Sequence, residues 1–268
     1  MSDQMIYNQN PAIRSQQITL TQRYEYDIRD HFHLNSGFLI SFLAVKGSNL
    51  ENINPQKQLD FFVIVTYRIN DRWSSTWGLR ESFMIDAGSK LLPSLGAERK
   101  WIFSKSSLIL HAKIAQGFRY PTLNDRFWLP GGNPFLKPEQ SAGTEIGFKL
   151  RYPKFNTQVN VYQTWAQDWI LWLPQSGNMW IPENIRKVTI SGIEYALGYQ
   201  YFLNETELER EVVLNYQRSI NKSAYPSQAA YGNQLPYVPY FTAIWSNKIH
   251  IKKWTIALDQ SYTSRRYT

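Results

Sequence analysis

Hydrophobic alternation with a period of two runs through most of this chain, in segments of ten or more residues, and it limits the fold more than any other feature. Between Gln16 and Arg29, Ile18, Leu20, Tyr24, Tyr26 and Ile28 fall on one side, and Thr19, Thr21, Arg23, Glu25 and Asp27 on the other. From Trp73 to Asp86, Trp73, Trp77, Leu79, Phe83 and Ile85 oppose Ser74, Thr76, Gly78, Arg80 and Ser82. Further on, Ala142, Thr144, Ile146, Phe148 and Leu150 oppose Ser141, Gly143, Glu145, Gly147 and Lys149, and Phe155, Thr157, Val159 and Val161 oppose Asn156, Gln158, Asn160 and Tyr162. Successive side chains of a strand point to opposite faces, so each segment reads as a strand with one oily face and one wet face. The run Phe38 to Val45, FLISFLAV, is apolar on both sides and assigns no face.

About twelve strands are expected: Gln16–Arg29, His33–Lys46, Asp60–Ile69, Trp73–Asp86, Lys90–Trp101, Ser106–Gln116, Gln140–Tyr152, Phe155–Leu173, a strand ending near Leu203, Glu207–Ile220, Tyr237–Ile249 and Trp254–Tyr262. Their connections alternate. Short breaks fall near Asp30, Asn70, Lys100, Pro153, Asn204 and Lys252, and long ones near Asn49, Gly88, Gly131, Gly177 and Tyr231. Up-and-down barrels in an asymmetric membrane are built this way, with short turns on the periplasmic side and long loops outside. A soluble β-sandwich also alternates, but its inner faces are apolar. Here the wet faces carry Arg, Glu, Asn and Gln, and Trp and Tyr gather at strand ends.

Composition fits a membrane barrel. The chain is 15% aromatic, yet its mean hydropathy is −0.43, and no run approaches the roughly 20 apolar residues of a spanning helix. It contains no cysteine, which excludes disulfides and thiolate metal sites. A net charge of +8 fits a basic lumen as well as a nucleic-acid binder, so charge alone does not discriminate. No RNP-like motif is visible, and no nucleic-acid partner is expected.

The stretch Lys113 to Leu150 is the most distinctive. Four prolines and two adjacent glycines between Gly117 and Glu139 exclude regular helix and central strand, so an ordered loop is expected there. The pieces GFRYPTLNDRFW, PGGNP, LKPEQS and EIG within it resemble the late barrel signature of TonB-dependent outer-membrane receptors. PENIRKVTISGIEYAL (Pro182 to Leu197) and NQLPYVPYF (Asn233 to Phe241) resemble two later signatures of the same family.

The resemblance implies an all-β, antiparallel up-and-down transmembrane β-barrel segment, part of a larger barrel of about 22 strands filled by an N-terminal plug. Residues 1–268 are expected to be a partial barrel domain from its middle-to-late part, with no plug domain. The implied function is uptake of a scarce, bulky solute such as a ferric siderophore or cobalamin across the Gram-negative cell outer membrane. Energy would come from the inner-membrane TonB complex, acting through the plug. The other partners expected are outer-membrane lipid and a small bulky ligand. Alternatives from other classes are a self-contained twelve-stranded pore or adhesin and a soluble carbohydrate-binding β-protein.

No enzyme is expected, since HExxH, GxSxG and phosphate-loop motifs are absent, and no cofactor is implied. His31 and His33 flank a turn without a third metal ligand nearby in sequence, so no metal site is assigned. Matching the family motif position by position, Arg119, Pro121, Asn124, Asp125, Gly132, Asn133, Pro134, Lys137, Pro138 and Glu139 are expected to brace the long loop rather than bind ligand. The prolines fix φ, Asn133 and Asp125 make side-chain turns, and Arg119 pairs with a carboxylate. Glu145 and Glu194, on inward faces beside glycines such as Gly192, are expected to partner lumen or plug arginines. For ligand contact the candidates are the outer-loop aromatics Phe127, Trp128, Trp172, Trp180, Tyr225, Tyr231 and Tyr240, with Trp172 equally suited to the membrane-interface girdle.

Overall fold

The computed structural model describes residues 13–50, 53–85, 87–175, 179–224 and 231–267, with Arg186 described by its backbone alone. They form one sheet of twelve strands, each hydrogen-bonded to the next in sequence order. The strands are β1 Ile13–Ile28, β2 Phe32–Gly47, β3 Gln56–Asn70, β4 Trp73–Met84, β5 Gly88–Ile102 and β6 Ser107–Arg119, then, after one short helix α1 Leu123–Phe127, β7 Glu139–Arg151, β8 Phe155–Pro174, β9 Trp180–Leu203, β10 Thr206–Asn221, β11 Phe241–Ile251 and β12 Trp254–Thr263. Every pairing is antiparallel.

Register carries the alternation across the sheet. Glu25, Asn35, Ile64, Gly78, Ser94, Ala115, Gly143 and Thr164 lie side by side on one face. The next row, Tyr26, Leu34, Val65, Trp77, Leu95 and Ile114, is apolar and lies on the other face. That row starts near the short-turn end of β1 and drifts toward the long-loop end by β6, the stagger that a tilted, curved sheet requires. The wet face is concave, since Thr21, Asp60, Phe62, Arg80, Ser94 and Lys113, drawn from several strands, line one hollow.

Four expectations need correction. The strand expected at Tyr237–Ile249 begins only at Phe241, because Pro236 and Pro239 cannot donate to a ladder and Tyr237 takes a left-handed φ of 62°. Trp180 to Asn184, read as loop, belongs to β9, where Pro182 sits opposite Trp172 and Trp180 opposite Pro174. The Gly/Pro stretch holds a one-turn helix, whose Thr122 and Asp125 form a reciprocal capping box. The concave face is also less polar than expected: Leu39, Phe62, Ile64 and Leu92 share it with Asp60 and Arg80.

The two edges differ from the middle. Every residue of β1 and β12 is exposed, and among the described residues β1 pairs only with β2 and β12 only with β11.

Candidate functional site: the braced outer loop and the concave wall

The loop between β6 and β7 is held by two buried carboxylates. Glu139, the first residue of β7, sits opposite Arg119, the last of β6. It accepts from Arg119 Nε and Nη2 at 2.7 and 2.6 Å, and its Oε1 also accepts the backbone N–H of Ile170 at 2.8 Å. Such a fork fixes both position and angle. Asp125 caps α1 through the Thr122 N–H at 2.9 Å, accepts the Trp172 indole Nε1–H at 2.9 Å, and lies 3.8 Å from Arg119 Nη1. One guanidinium thus joins a strand pair, a helix cap and the neighbouring β8.

The rest of the loop is tied by backbone groups. Asn133 donates its own N–H to the Asp125 carbonyl at 2.8 Å, accepts the Phe135 N–H on Oδ1 at 3.0 Å and donates Nδ2–H to the Pro182 carbonyl at 3.2 Å. The Gly132 N–H bonds the Trp128 carbonyl and the Trp128 N–H the Asn124 carbonyl. Gly131 takes a φ of 118° with its backbone against the Trp180 carbonyl, where a Cβ would lie 2.3 Å from that oxygen. Lys137 is held through its main chain, its N–H and carbonyl both bonded to the Asn184 amide, which also donates to the Asp168 carbonyl. Asp168 has a φ of 54°, and the β8–β9 ladder skips one position on each strand between Gln167↔Lys187 and Trp169↔Ile185. Pro121 precedes the Thr122 cap, and Pro134 and Pro138 flank the segment that Asn133 and Asn184 hold. Tyr120, beside Pro121, donates to the Gly88 carbonyl at 2.8 Å, and burial pushes its hydroxyl pKa above the usual tyrosine value.

Four of the outer-loop aromatics cluster around this brace. Arg126 lies 4.7 Å from the Phe127 ring centroid, the backbone of Trp128 bridges to that of Leu50 in the β2–β3 loop, the Trp172 indole holds Asp125, and the Trp180 backbone carbonyl lies against Gly131. Tyr231 and Tyr240 belong to a separate loop. Tyr231 is exposed, and Tyr240 packs against Tyr216 and Tyr267. Tyr225 lies outside the described residues. Phe135, 90% exposed, is an outer-loop aromatic that sequence reasoning passed over, although its position between Pro134 and Pro138 marked it. The loop bearing Tyr231 folds onto the sheet through Leu235, which packs with Ala166, Ile185 and Val188, and through Gln234, whose Oε1 accepts the Ser219 N–H.

On the concave wall Glu145 and Glu194 line one hollow with Lys113 and Tyr162. His111 Nε2 lies 3.4 Å from Glu145 Oε1, and Tyr162 donates to Gln217 Oε1 at 3.0 Å. Gly192 leaves room for the Tyr162 ring, since a Cβ there would lie 2.4 Å from its hydroxyl. At the short-turn rim His33 pairs with Asp27 and His31 with the Arg68 carbonyl.

A single curved sheet with a polar concave face, short turns at one end and a braced loop at the other defines a barrel wall. The family model described as TonB dependent receptor-like, beta-barrel matches residues 5–268. The chain belongs to the TonB-dependent receptor family. It is 28% identical over 195 residues to the vitamin B12 transporter BtuB of Photobacterium profundum, a match covering 67% of this chain and 31% of that protein. The chain therefore spans about a third of that relative's length. Among solved structures, the siderophore receptor PirA from Pseudomonas aeruginosa superposes with a TM-score of 0.67 at 14% identity, covering 95% of this chain and 46% of that one. The copper transporter OprC gives 0.70 at 17% identity, covering 92% and 43%. At these identities the likeness is one of fold.

Proposed function

We propose that these twelve strands form part of the barrel wall of an outer-membrane receptor that takes up a scarce, bulky solute of the cobalamin or ferric-siderophore class. The observation that carries this is the match to a vitamin B12 transporter, read together with the loop pinned by Arg119, Asp125 and Glu139. A loop fixed at both ends presents its aromatics at constant spacing, so solute binding costs little ordering. In this reading Phe127, Trp128, Trp180, Tyr231 and the exposed Phe135 contact solute, whereas Trp172 supports Asp125. Glu145 and Glu194 offer negative charge on the lumen wall to cations of a plug, and the plug passes energy from the inner-membrane TonB complex.

A chimaera tests it: the matched strands of a vitamin B12 transporter are replaced by this chain in a strain lacking cobalamin uptake. Growth on limiting cyanocobalamin or on a ferric siderophore, lost when TonB is deleted, is the expected result. A chimaera that inserts in the outer membrane and supports neither overturns the reading.

A further inference from the structure

Arg99 stands on the convex, membrane-facing side of the sheet. It pairs with Trp73 on β4 and Leu110 on β6, in the row flanked by Ala97 and Trp101, while Glu98 and Lys100 point to the concave face. Its guanidinium carbon lies 5.0 Å from the centroid of the Trp73 ring and 4.4 Å from that of Trp101, a clamp between two indoles. The covered Nε–H has no acceptor, and among the described residues no carboxylate pairs with this arginine. A cation facing hydrocarbon without a partner is unfavourable, and one at the membrane interface is completed by a headgroup.

The level of Arg99 fits an interface. Trp73 opens β4 directly after the Asp71–Arg72 turn, and the Lys100 N–H bonds the Arg72 carbonyl, so Arg99 lies at the short-turn rim. A related arrangement recurs along that rim, where Lys154 Nζ lies 5.6 Å from the Tyr201 ring centroid. Arg29, Arg72, Lys105, Lys154, Lys252 and Lys253 occupy five of the six short turns, against Asp30, Asp71 and Glu205. The rim has a net positive charge, and a guanidinium held by ring faces offers its terminal N–H groups in a fixed plane suited to two phosphate oxygens.

We infer that Arg99, clamped by Trp73 and Trp101, is a binding site for the phosphodiester of an anionic phospholipid in the leaflet that meets the short turns. This rests on the membrane-barrel reading but not on any solute.

The test uses the protein in the length the cell makes, placed in nanodiscs of phosphatidylglycerol and phosphatidylcholine and released into native mass spectrometry. The wild type should retain one more phosphatidylglycerol than Arg99→Gln, with occupancy at least five-fold lower in the variant, and should show no matching difference for phosphatidylcholine. Millimolar inorganic phosphate should leave the count unchanged; displacement by it would overturn assignment of the site to lipid. Equal retention by wild type and an inserted Arg99→Gln would overturn the site itself. If that variant does not insert, Trp101→Leu keeps the charge but removes one wall of the clamp, and unchanged retention there is equally decisive. Solute uptake by an inserted Arg99→Gln separates failure of this site from failure of the transport reading.

Discussion

The middle of the sheet and its two edges are built from the same alternating pattern, yet they are stabilised differently. From β6 to β9 each strand has two neighbours, and the outer ends are locked by Glu139, Asp125 and Asn184, whose partners lie on other elements. At β1 and β12 each strand has one neighbour among the described residues, and every residue of both is exposed. In lipid, a backbone group without a partner costs several kcal/mol, so a row of them cannot be left unpaired. The middle is a wall paired on both sides, whereas among the described residues the outer edges of β1 and β12 are unpaired.

The largest effect of removing a native contact should come from the brace. Glu139→Ala leaves Arg119 and the Ile170 N–H without their acceptor, and breaking such a buried pair costs about 3 kcal/mol, the low end of its range because Arg119 is half exposed. Urea unfolding of the membrane-inserted receptor measures it, and the loss should exceed that of any single polar substitution within β1. A comparable loss at Thr19 or Thr21 would erase the contrast between middle and edge.

Next is the contrast between faces. Arg in place of Ile146, which is 63% exposed on the convex side, should cost about 2–4 kcal/mol if it lies near the bilayer midplane, and Arg in place of Thr164 on the concave side clearly less. Gly147, though concave-facing, does not serve as the lumen control: a Cβ there would lie 2.4 Å from the Val159 carbonyl oxygen, so backbone contact, not charge, would dominate.

Smaller effects sharpen the picture of the loop. Trp172→Phe removes one hydrogen bond to a carboxylate and should cost about 1–2 kcal/mol, with protease sensitivity rising in Leu123–Glu139. If Trp172 served only the interface girdle, Phe would be nearly neutral there. Thr122→Ala removes half of the capping box and should cost about 1 kcal/mol by the same unfolding assay.

Strand number, direction and facing were legible because period-two alternation is a local property. The Thr122-x-x-Asp125 spacing that caps α1 is equally local but was passed over, because the prolines and glycines around it read as loop throughout. The brace was legible only in part. Arg119 and Glu139 carried the promise of an ion pair, but the contacts of Trp172 with Asp125 and of Asn184 with Lys137 join residues 47 apart and depend on β8 and β9 extending beyond the Asp168 irregularity. FLISFLAV gave no face because both sides are apolar. Only its register against Asp60, opposite Leu39, turns Leu39 inward.

The open edges can be tested directly because the chain has no cysteine of its own. Cysteine at Leu20, combined in turn with cysteine at each position from Trp254 to Tyr262, reports whether β1 and β12 meet in the membrane-inserted chain. Leu20 with Ile40, which are register partners, is the positive control. Open edges predict an oxidised crosslink for the control and none for any β1–β12 pair. A strong β1–β12 crosslink would show a closed twelve-stranded pore and contradict the partial barrel.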